Sequence, residues 1–433
     1  MSQKIGFWAV FAIVTGSQIG SSVFTSPANL AGYGWFALWG FMMAGAGAMA
    51  LCWVFASLCA AFPKTGGPHV YVHRLFGRAP AFFTGWTYWV ISWISTTAVV
   101  VTAVGYLAPL MGLHDKWSLL SLQLLLLGLI TYVNLQGVKI AGQAEFVLTL
   151  LKLIPLIVLP IGGLLFFKIE HFEVAPSLTQ SFSFSQLLGQ MTLLTLWGFI
   201  GLETATTPAE SVEKPTKNIP KAMILGTLFV AVVYIINCLG IMGLVPPDVL
   251  KNSKAPYVDA SQILFGGHWH LLISVIAGIV CVGTLNAWML TSGQIALGLS
   301  QDGFMPALFA KTNKKDAPVW SILISAAGIV PLLFMTMADS FADQIRSIID
   351  ISVTAFLFVY SACCFGAIKL ALRADKYLSV FVSLIALLFC AWIIYETPLA
   401  TLGQSCLFTL SGVPVYLFWY LRKGTAAPKP LSI

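Results

Sequence analysis

The chain has 433 residues, of which 58% are hydrophobic and only 9% are charged. Soluble domains carry about 25% charged residues, so this composition excludes a soluble enzyme and indicates an integral membrane protein. The formal net charge of +7 does not indicate a nucleic-acid partner, because the basic residues follow the topology of the apolar segments.

Apolar segments long enough to cross a bilayer recur along nearly the whole chain. A span needs roughly 20 apolar residues, and the sequence supplies about twelve such segments. They lie near 6–31, 35–62, 80–110, 117–136, 143–167, 184–209, 220–244, 268–299, 318–337, 344–371, 376–395 and 399–421. Only short loops remain between them, so we predict an all-α integral membrane protein with one domain over 1–433.

The basic residues predict how the spans are oriented. If both termini are cytoplasmic, 17 of the 23 Lys and Arg residues lie on the inner side, and Lys152 lies within a span. The five on the outer side are Lys116, Lys168, Lys251, Lys254 and Arg346. This asymmetry follows the positive-inside rule. We therefore predict a multi-pass protein of the cell membrane, the inner membrane of a bacterium, with both termini cytoplasmic.

Two apolar segments are interrupted by small and polar residues. The first is broken at 16–24 (GSQIGSSVF), and the sixth within 196–222, which begins LWGFIGLE. A helix that breaks inside hydrocarbon exposes backbone groups, and each costs several kcal/mol unless a polar partner occupies the gap. A transported solute or ion is the usual occupant. The two breaks therefore predict a substrate site near the midplane of the bilayer.

Charged side chains inside a span cost about 2.5–3.5 kcal/mol each on insertion scales, so each needs a reason. Glu203 lies just after the sixth-span break and either caps a second half-helix or acts as a gate or protonation site. Lys152 is too far from the outer helix end for its ammonium group to snorkel easily. We predict that it changes protonation during the cycle or stands in for a sodium ion near the first span.

Asp350 lies a few residues into the tenth span and has two interpretations. It is either at an outer helix end, paired with Arg346 four residues earlier, or a carboxylate that faces the central cavity. In the cavity it would attract a cationic group or carry a proton. The sequence alone leaves both open.

Two tryptophans stand out among the 56 aromatic residues, most of which must serve packing or the interfacial belts. Trp197 opens the sixth-span break, and Trp288 follows the polar residues Thr284 and Asn286 in the eighth span. An indole face binds a cation with about 0.5–2 kcal/mol. Each tryptophan is therefore a candidate substrate contact, with ordinary packing as the alternative.

No pattern in the sequence predicts catalysis, a metal site or a cofactor. The eight cysteines lie in apolar segments without C-x-x-C spacing, so neither a disulfide framework nor a zinc site is predicted, and we interpret them as packing residues. The six histidines lie in loops or near span ends and are assigned no role. Protease, hydrolase and nucleotide-binding motifs are absent from the sequence.

Four separated motifs resemble the amino acid–polyamine–organocation superfamily. They are GSQIGSSVFTSPANLA in the first span, PKTGGPHVYVHRLFG after the second, FIGLE in the sixth and SQDGFMPALFAKTNKKDAPVW after the eighth. The likeness is strongest to the bacterial basic amino acid/polyamine antiporters. It implies a five-plus-five inverted repeat, about 6–167 and 184–371, with broken first and sixth helices and two additional helices at about 376–421.

The resemblance also implies site residues. The implied substrate-binding positions are Ser21, Ser22, Thr96, Trp197, Ile200, Gly201, Trp288 and Asp350. The implied gate consists of Tyr88, Glu203 and an aromatic residue placed at Phe358. Lys152 and Glu203 are the implied proton-coupling residues, and Lys152 favours independence from sodium. Thr96 and Asp350 differ from the arginine/agmatine exchanger, where the corresponding positions hold asparagine and serine.

We therefore predict a secondary transporter that exchanges arginine, lysine or ornithine for a related amino acid or its decarboxylated amine. A proton-coupled symporter of neutral amino acids is the alternative within transporters. An amino-acid sensor without net transport is the alternative of a different class, and it would usually carry a sizeable soluble domain. The predicted partners are the small-molecule substrate, the lipid bilayer and protons, with a homodimer left open.

Overall fold

A computed structural model of the chain describes residues 4–174, 182–253, 255–337 and 341–422. These residues form helices and turns, and the only β structure among them is two isolated bridges. The helices are α1 Phe7–Gln18, α2 Ser21–Leu30, α3 Trp35–Ala61, α4 Pro68–Phe76, α5 Arg78–Leu107, α6 Lys116–Leu135, α7 Val138–Leu165, α8 Phe184–Leu196, α9 Pro215–Leu244, α10 Pro247–Lys251, α11 Pro256–Phe265, α12 Trp269–Gln301, α13 Val319–Met335, α14 Phe341–Arg373, α15 Tyr377–Glu396, α16 Leu399–Leu410 and α17 Gly412–Arg422.

The helices account for the predicted number of spans. Nine helical segments of the described chain are long and apolar enough to cross a membrane, with α1 and α2 together forming the first. The shorter α13, the interrupted α8 and the pair α16 and α17 bring the number to about twelve. The prediction of an all-α membrane protein is therefore confirmed. We call the end of the bundle where α1 begins the N-terminal face and the other end the opposite face.

Both predicted breaks are present. Helix α1 ends at Gln18, Ile19 and Gly20 are extended or irregular, and α2 begins at Ser21. Helix α8 gives way to a 3-10 turn at Trp197–Phe199, and Gly201 follows with φ +106°. That left-handed conformation is easily adopted only by glycine.

The two breaks are not built alike. The chain after Gly201 forms the 3-10 turns Thr204–Thr206 and Ala209–Ser211. No second α half-helix therefore begins after the sixth-span break, and the interpretation of Glu203 as its cap is wrong. Within hydrocarbon, such backbone is tolerated only where protein or a polar cavity surrounds it.

Helix α7 packs tightly against α9 although it contains two prolines. A Cβ atom on Gly163 would lie 2.2 Å from the Gly240 carbonyl oxygen, so the two backbones touch. Pro160 has no N–H group for the Leu156 carbonyl four residues earlier. The Asn237 side chain on α9 donates to that carbonyl at 3.0 Å and satisfies it.

The outer surface of the bundle is apolar, as lipid contact requires. Large side chains on the outer faces of α6 and α7 are exposed, among them Leu125, Leu129, Leu150, Ile154 and Ile161. A soluble protein rarely exposes a continuous apolar surface of this extent. Seven cysteines are buried, as interpreted from the sequence; Cys406 is exposed on this surface.

Candidate substrate site

A narrow cavity lies where the two breaks meet, with a volume of about 10 Å³, which is room for about one water molecule. Its lining residues are Ser17, Gln18, Gly20, Ser21, Ser22, Val99, Trp197, Ile200, Thr284 and Trp288. Five of the eight residues predicted to bind substrate are among them, contributed by α2, by the sixth-span break and by α12. Within the part of the chain that the structure describes, no charged side chain lines this cavity.

Hydrogen bonds connect the two helix breaks. Ser17 at the end of α1 donates to the Gly201 carbonyl at 2.9 Å, and Thr204 donates to the same oxygen at 2.8 Å. A Cβ atom on Gly201 would lie 2.8 Å from the Ser17 hydroxyl oxygen and 3.2 Å from the Trp288 ring. Gly201 thus allows the close approach of the first span, the sixth span and the α12 indole at one point.

Gln18 presents an unused acceptor in the cavity wall. Its amide nitrogen donates to the Thr227 hydroxyl at 3.2 Å and the Val14 carbonyl at 3.3 Å, which orients the amide group. Its Oε1 atom is buried and has no hydrogen-bond partner among the described residues. A buried acceptor without a partner is costly, so this oxygen is suited to receive a donor from a bound molecule.

The floor of the cavity is aromatic. Trp288 packs on Phe356, with ring centroids 5.5 Å apart, and Phe356 packs on Tyr88 at 5.7 Å. Below them, Glu203 accepts hydrogen bonds from the hydroxyl groups of Tyr88 at 2.7 Å and Tyr360 at 2.6 Å. The carboxyl group and both hydroxyl groups are buried. These contacts fill the space between the cavity and the N-terminal face with buried side chains.

The third aromatic residue of this closure is not Phe358. Phe358 is only partly buried, whereas Phe356 and Tyr360 make the contacts with Tyr88 and Glu203. Residues two apart on a helix point in different directions, while residues four apart share a face. The prediction was therefore two residues out of register, and the tyrosine hydroxyl at 360 is the signal that could have corrected it.

Asp350 and Thr96 do not line this cavity. Asp350 is half-buried in the first turn of the apolar part of α14, Ile348–Arg373, near the opposite face. It lies ten residues, about 15 Å, from Tyr360 along the helix. The side chain of Arg346, its proposed partner, lies outside the described residues. Thr96 is buried one turn from Val99, and its hydroxyl donates to the Ser92 carbonyl at 2.6 Å.

Ser352 is a buried polar residue of α14. It lies two residues after Asp350, the same offset that separates Tyr360 from Phe358. Its side chain is fully buried, and its hydroxyl has no hydrogen-bond partner among the described residues.

Lys152 reaches the break in the first span. Its ammonium group donates to the carbonyl oxygens of Gly16 at 3.0 Å and Ile19 at 3.1 Å. The Thr284 hydroxyl donates to the same two oxygens at 3.1 and 3.0 Å. The Lys152 amine thus lies against the carbonyl groups that the end of α1 leaves without helical partners.

A second set of polar contacts closes the N-terminal face. Asp302, just after α12, forms an ion pair with Lys64 and accepts a hydrogen bond from His69 Nε2 at 3.2 Å. Burial would raise the pKa of Asp302, but the His69 hydrogen bond and the charge of Lys64 outweigh it and hold the pKa at about 2. These contacts tie α4 and the segment before it to the end of α12.

Asp302 is expected to make stability depend on pH. Because its pKa is lower in the folded protein than in the unfolded chain, its contribution is present above pH 4 and is lost as the pH falls toward 2. The midpoint of thermal unfolding in detergent should therefore fall less over this range in Asp302→Asn, and at pH 7 it should be lower than in the wild type.

Asp316→Asn is the matched control for this prediction. Asp316 is exposed in the same loop, and asparagine tolerates its φ of 60°. An Asp302→Asn variant with the wild-type unfolding temperature at pH 7 would contradict the assignment.

The model of the amino acid permease family matches residues 5–420. The chain belongs to the amino acid permease family. This confirms the resemblance to the amino acid–polyamine–organocation transporters, and it makes the cavity at the two breaks the candidate substrate site of a membrane permease for small molecules.

Three relatives are similar over nearly their full lengths. The chain is 30% identical to the Putrescine transporter PotE of Haemophilus influenzae over 426 residues, 96% of this chain and 97% of that protein. It is 28% identical to the Cadaverine/lysine antiporter of Escherichia coli (strain K12) over 435 residues, with 98% and 95% covered. A Bacillus subtilis (strain 168) protein with the provisional name arginine/ornithine antiporter is 28% identical over 430 residues, with 91% of each covered.

Proposed function

We propose that this permease exchanges a cationic amino acid, such as lysine, ornithine or arginine, for a related amino acid or its decarboxylated amine. The names of three relatives, which refer to lysine, cadaverine, putrescine, arginine and ornithine, support this substrate class. The observation that carries the proposal furthest is the cavity itself. It combines two indoles, the uncapped start of α2 and the unpartnered Gln18 oxygen.

Each part of the cavity suits one part of such a substrate. The N–H groups at the start of α2, at Ser21 and Ser22, are suited to the carboxylate, since a helix N-terminus favours an anion. The Gln18 side-chain oxygen would accept a hydrogen bond from the α-ammonium group. Trp197 and Trp288 would lie against the aliphatic stem, and an indole face also attracts a cation. An amine without a carboxylate would still bind through the remaining contacts.

Alternating access would require the closure on the N-terminal face to open. The positive-inside asymmetry supports a cytoplasmic N-terminal face in a bacterial inner membrane. In that orientation, Glu203 with Tyr88 and Tyr360 forms the inner gate directly below the substrate. Opening it would separate the sixth span from α5 and α14. Proton entry to Glu203 would weaken its two hydrogen bonds, which makes this carboxyl group a candidate for proton coupling.

Lys152 is proposed to make the permease independent of sodium. Its ammonium group occupies the place where a cation would otherwise neutralise the carbonyl groups of Gly16 and Ile19. Thr96 and Ser352 are proposed to line the path of the substrate side chain when the cavity widens. A homodimer remains a proposal drawn from the family resemblance.

Counterflow in proteoliposomes tests the proposed function. Vesicles are preloaded with lysine, ornithine, arginine, cadaverine or putrescine, or left empty, and uptake of each labelled amino acid is measured. Uptake only into preloaded vesicles is the expected result. Accumulation of neutral amino acids in empty vesicles under an inward proton gradient would instead establish a symporter. Binding of an amino acid without uptake under any condition would favour the interpretation of the protein as an amino-acid sensor.

Asp350 is proposed to attract cationic substrates at the mouth on the opposite face. Asp350→Asn should raise the KM for lysine about fivefold, because the carboxylate acts through a partly solvated path. The KM for a neutral amino acid, if one is carried, should not change. Uptake measured against substrate concentration in proteoliposomes checks both values.

Asp248→Asn is the matched control for Asp350→Asn, since Asp248 is an exposed carboxylate at the same face. An unchanged KM for lysine in Asp350→Asn, or an equal change for neutral substrates, would remove Asp350 from substrate selection.

A further inference from the structure

A buried carboxylate lies beside Lys152, outside the cavity described above. Glu145 and Lys152 are seven residues apart on α7 and therefore share a face of the helix. Both side chains are fully buried. The Glu145 Oε1 atom lies 3.4 Å from the Lys152 Nζ atom, so the two form an ion pair inside the membrane domain.

Glu145 is anchored to helices other than α1. Its Oε2 atom accepts a hydrogen bond from the Asn286 side chain on α12 at 3.0 Å. The Asn286 oxygen in turn accepts from Asn134 on α6 at 3.1 Å. Thr149, one turn along α7, also approaches Oε1 at 3.4 Å. The carboxylate is thus held by α6, α7 and α12 together.

Lys152, by contrast, divides its hydrogen bonds between two groups of helices. Two of its three acceptors are the Gly16 and Ile19 carbonyl oxygens at the end of α1. The third is Glu145. If α1 moves relative to α7 and α12 during transport, the two carbonyl groups leave the ammonium group, and Glu145 does not. A buried charge left without a partner is strongly unfavourable.

The packing around Gly16 supports the same arrangement. A Cβ atom on Gly16 would lie 1.8 Å from the Glu145 Oε1 atom, so the carboxylate rests directly against the backbone of α1. Only glycine at this position leaves room for it. The glycine that marks the start of the first-span break is therefore also the place where the carboxylate meets the first span.

We propose that Glu145 is a positioning residue for transport, a fixed counter-charge that keeps Lys152 paired while the broken first span moves away from it. The proposal rests on the proposed exchange function. It assigns to Glu145 no contact with substrate. Its effect is on the rate at which the permease changes conformation, because the pair lets α1 separate from α7 without leaving an isolated ammonium group.

A mutant cycle tests the proposal on the full-length protein. Glu145→Gln should reduce the exchange rate of the substrate that the wild type carries by about 100-fold, because the ammonium group loses its permanent partner. Substrate affinity, measured by equilibrium binding in detergent, should change less than about threefold. In the double variant Glu145→Gln/Lys152→Gln, exchange should be no slower than in Lys152→Gln alone, because no charge then needs a partner.

The unfolding temperature in detergent gives a readout that does not depend on transport. Glu145→Gln should lower it, and adding Lys152→Gln should restore part of the loss. Glu145→Asp, which keeps the charge, should retain more exchange than Glu145→Gln. Glu210→Gln, at an exposed position, is the control and should behave as the wild type.

Three results would overturn the proposal. The first is wild-type exchange in Glu145→Gln, even if the unfolding temperatures reveal the ion pair. The second is a double variant in which the two losses multiply. The third is an unfolding cycle that shows no coupling between Glu145 and Lys152. A failure of the proposed function is seen separately, because the wild type would then show no exchange. The unfolding cycle would still report whether Glu145 and Lys152 are coupled.

Discussion

Glu203→Ala is expected to reduce exchange by about 100-fold or more. The carboxylate accepts hydrogen bonds from Tyr88 at 2.7 Å and Tyr360 at 2.6 Å in a buried site. Hydrogen bonds to a charged group contribute about 1.5–3 kcal/mol each, and the alanine variant would leave both tyrosine hydroxyls without their acceptor. The N-terminal face would no longer close reproducibly beneath the substrate. Counterflow in proteoliposomes measures the loss.

Substitutions that differ in charge separate two proposed roles of Glu203, which are closing the gate and taking up the coupling proton. Glu203→Gln keeps the shape and one acceptor, so it should retain more exchange than Glu203→Ala. If Glu203 also takes up the coupling proton, the exchange rate of Glu203→Gln should vary less with pH than that of the wild type. Glu210→Ala changes an exposed carboxylate seven residues further along the chain and is the control. Exchange in Glu203→Ala above about a third of the wild-type rate would contradict the gate.

Gly201→Ala is expected to reduce exchange by roughly 10- to 100-fold. Its φ of +106° is strained for any residue with a Cβ atom, at a cost of about 1–3 kcal/mol. The new methyl group would also lie 2.8 Å from the Ser17 hydroxyl oxygen and 3.2 Å from the Trp288 ring. Both effects would displace the sixth-span break from the first span and deform the cavity. The KM for substrate should rise together with the loss of rate.

Gly128→Ala is the matched control for this substitution. Gly128 lies within α6, and a Cβ atom there would meet no atom within 4 Å. Both variants are compared by exchange rate, KM and unfolding temperature in detergent. If Gly201→Ala kept the KM and rate of Gly128→Ala, the close approach at Gly201 would have no part in substrate binding.

Much of the site was predictable because its chemistry is visible in the chain. Small and polar residues at 16–24 and 196–203 stand out against apolar sequence, and both predicted breaks are present. Glu203 and Lys152 stand out as charges within spans. Each of them contacts backbone or tyrosine groups near a break, since a buried charge must find partners wherever the fold allows them.

The misses share a physical cause. Helix α14 is apolar around much of its circumference, so hydropathy does not tell which residues face the centre of the bundle. The resemblance placed the third aromatic residue of the gate at Phe358, and hydropathy offered no correction, whereas Phe356 and Tyr360 make the contacts. Glu145 was overlooked because the apolar signal begins close to it, although α7 begins at Val138. Hydropathy indicates which residues lie in the hydrocarbon of the bilayer, but it does not indicate at which residue a helix begins.

The sequence by itself determined that this protein spans a membrane about twelve times, where two of its spans break and which permease family it resembles. These properties depend on composition and local sequence pattern, because the hydrocarbon of the bilayer accepts apolar helices and penalises unsatisfied backbone groups. Only the tertiary structure decided which side chains meet: Tyr360 with Glu203, Asn286 with Glu145, and Asp302 with His69. Such pairs join helices that are distant in the chain, and their register is set by packing between helices, which no local pattern encodes.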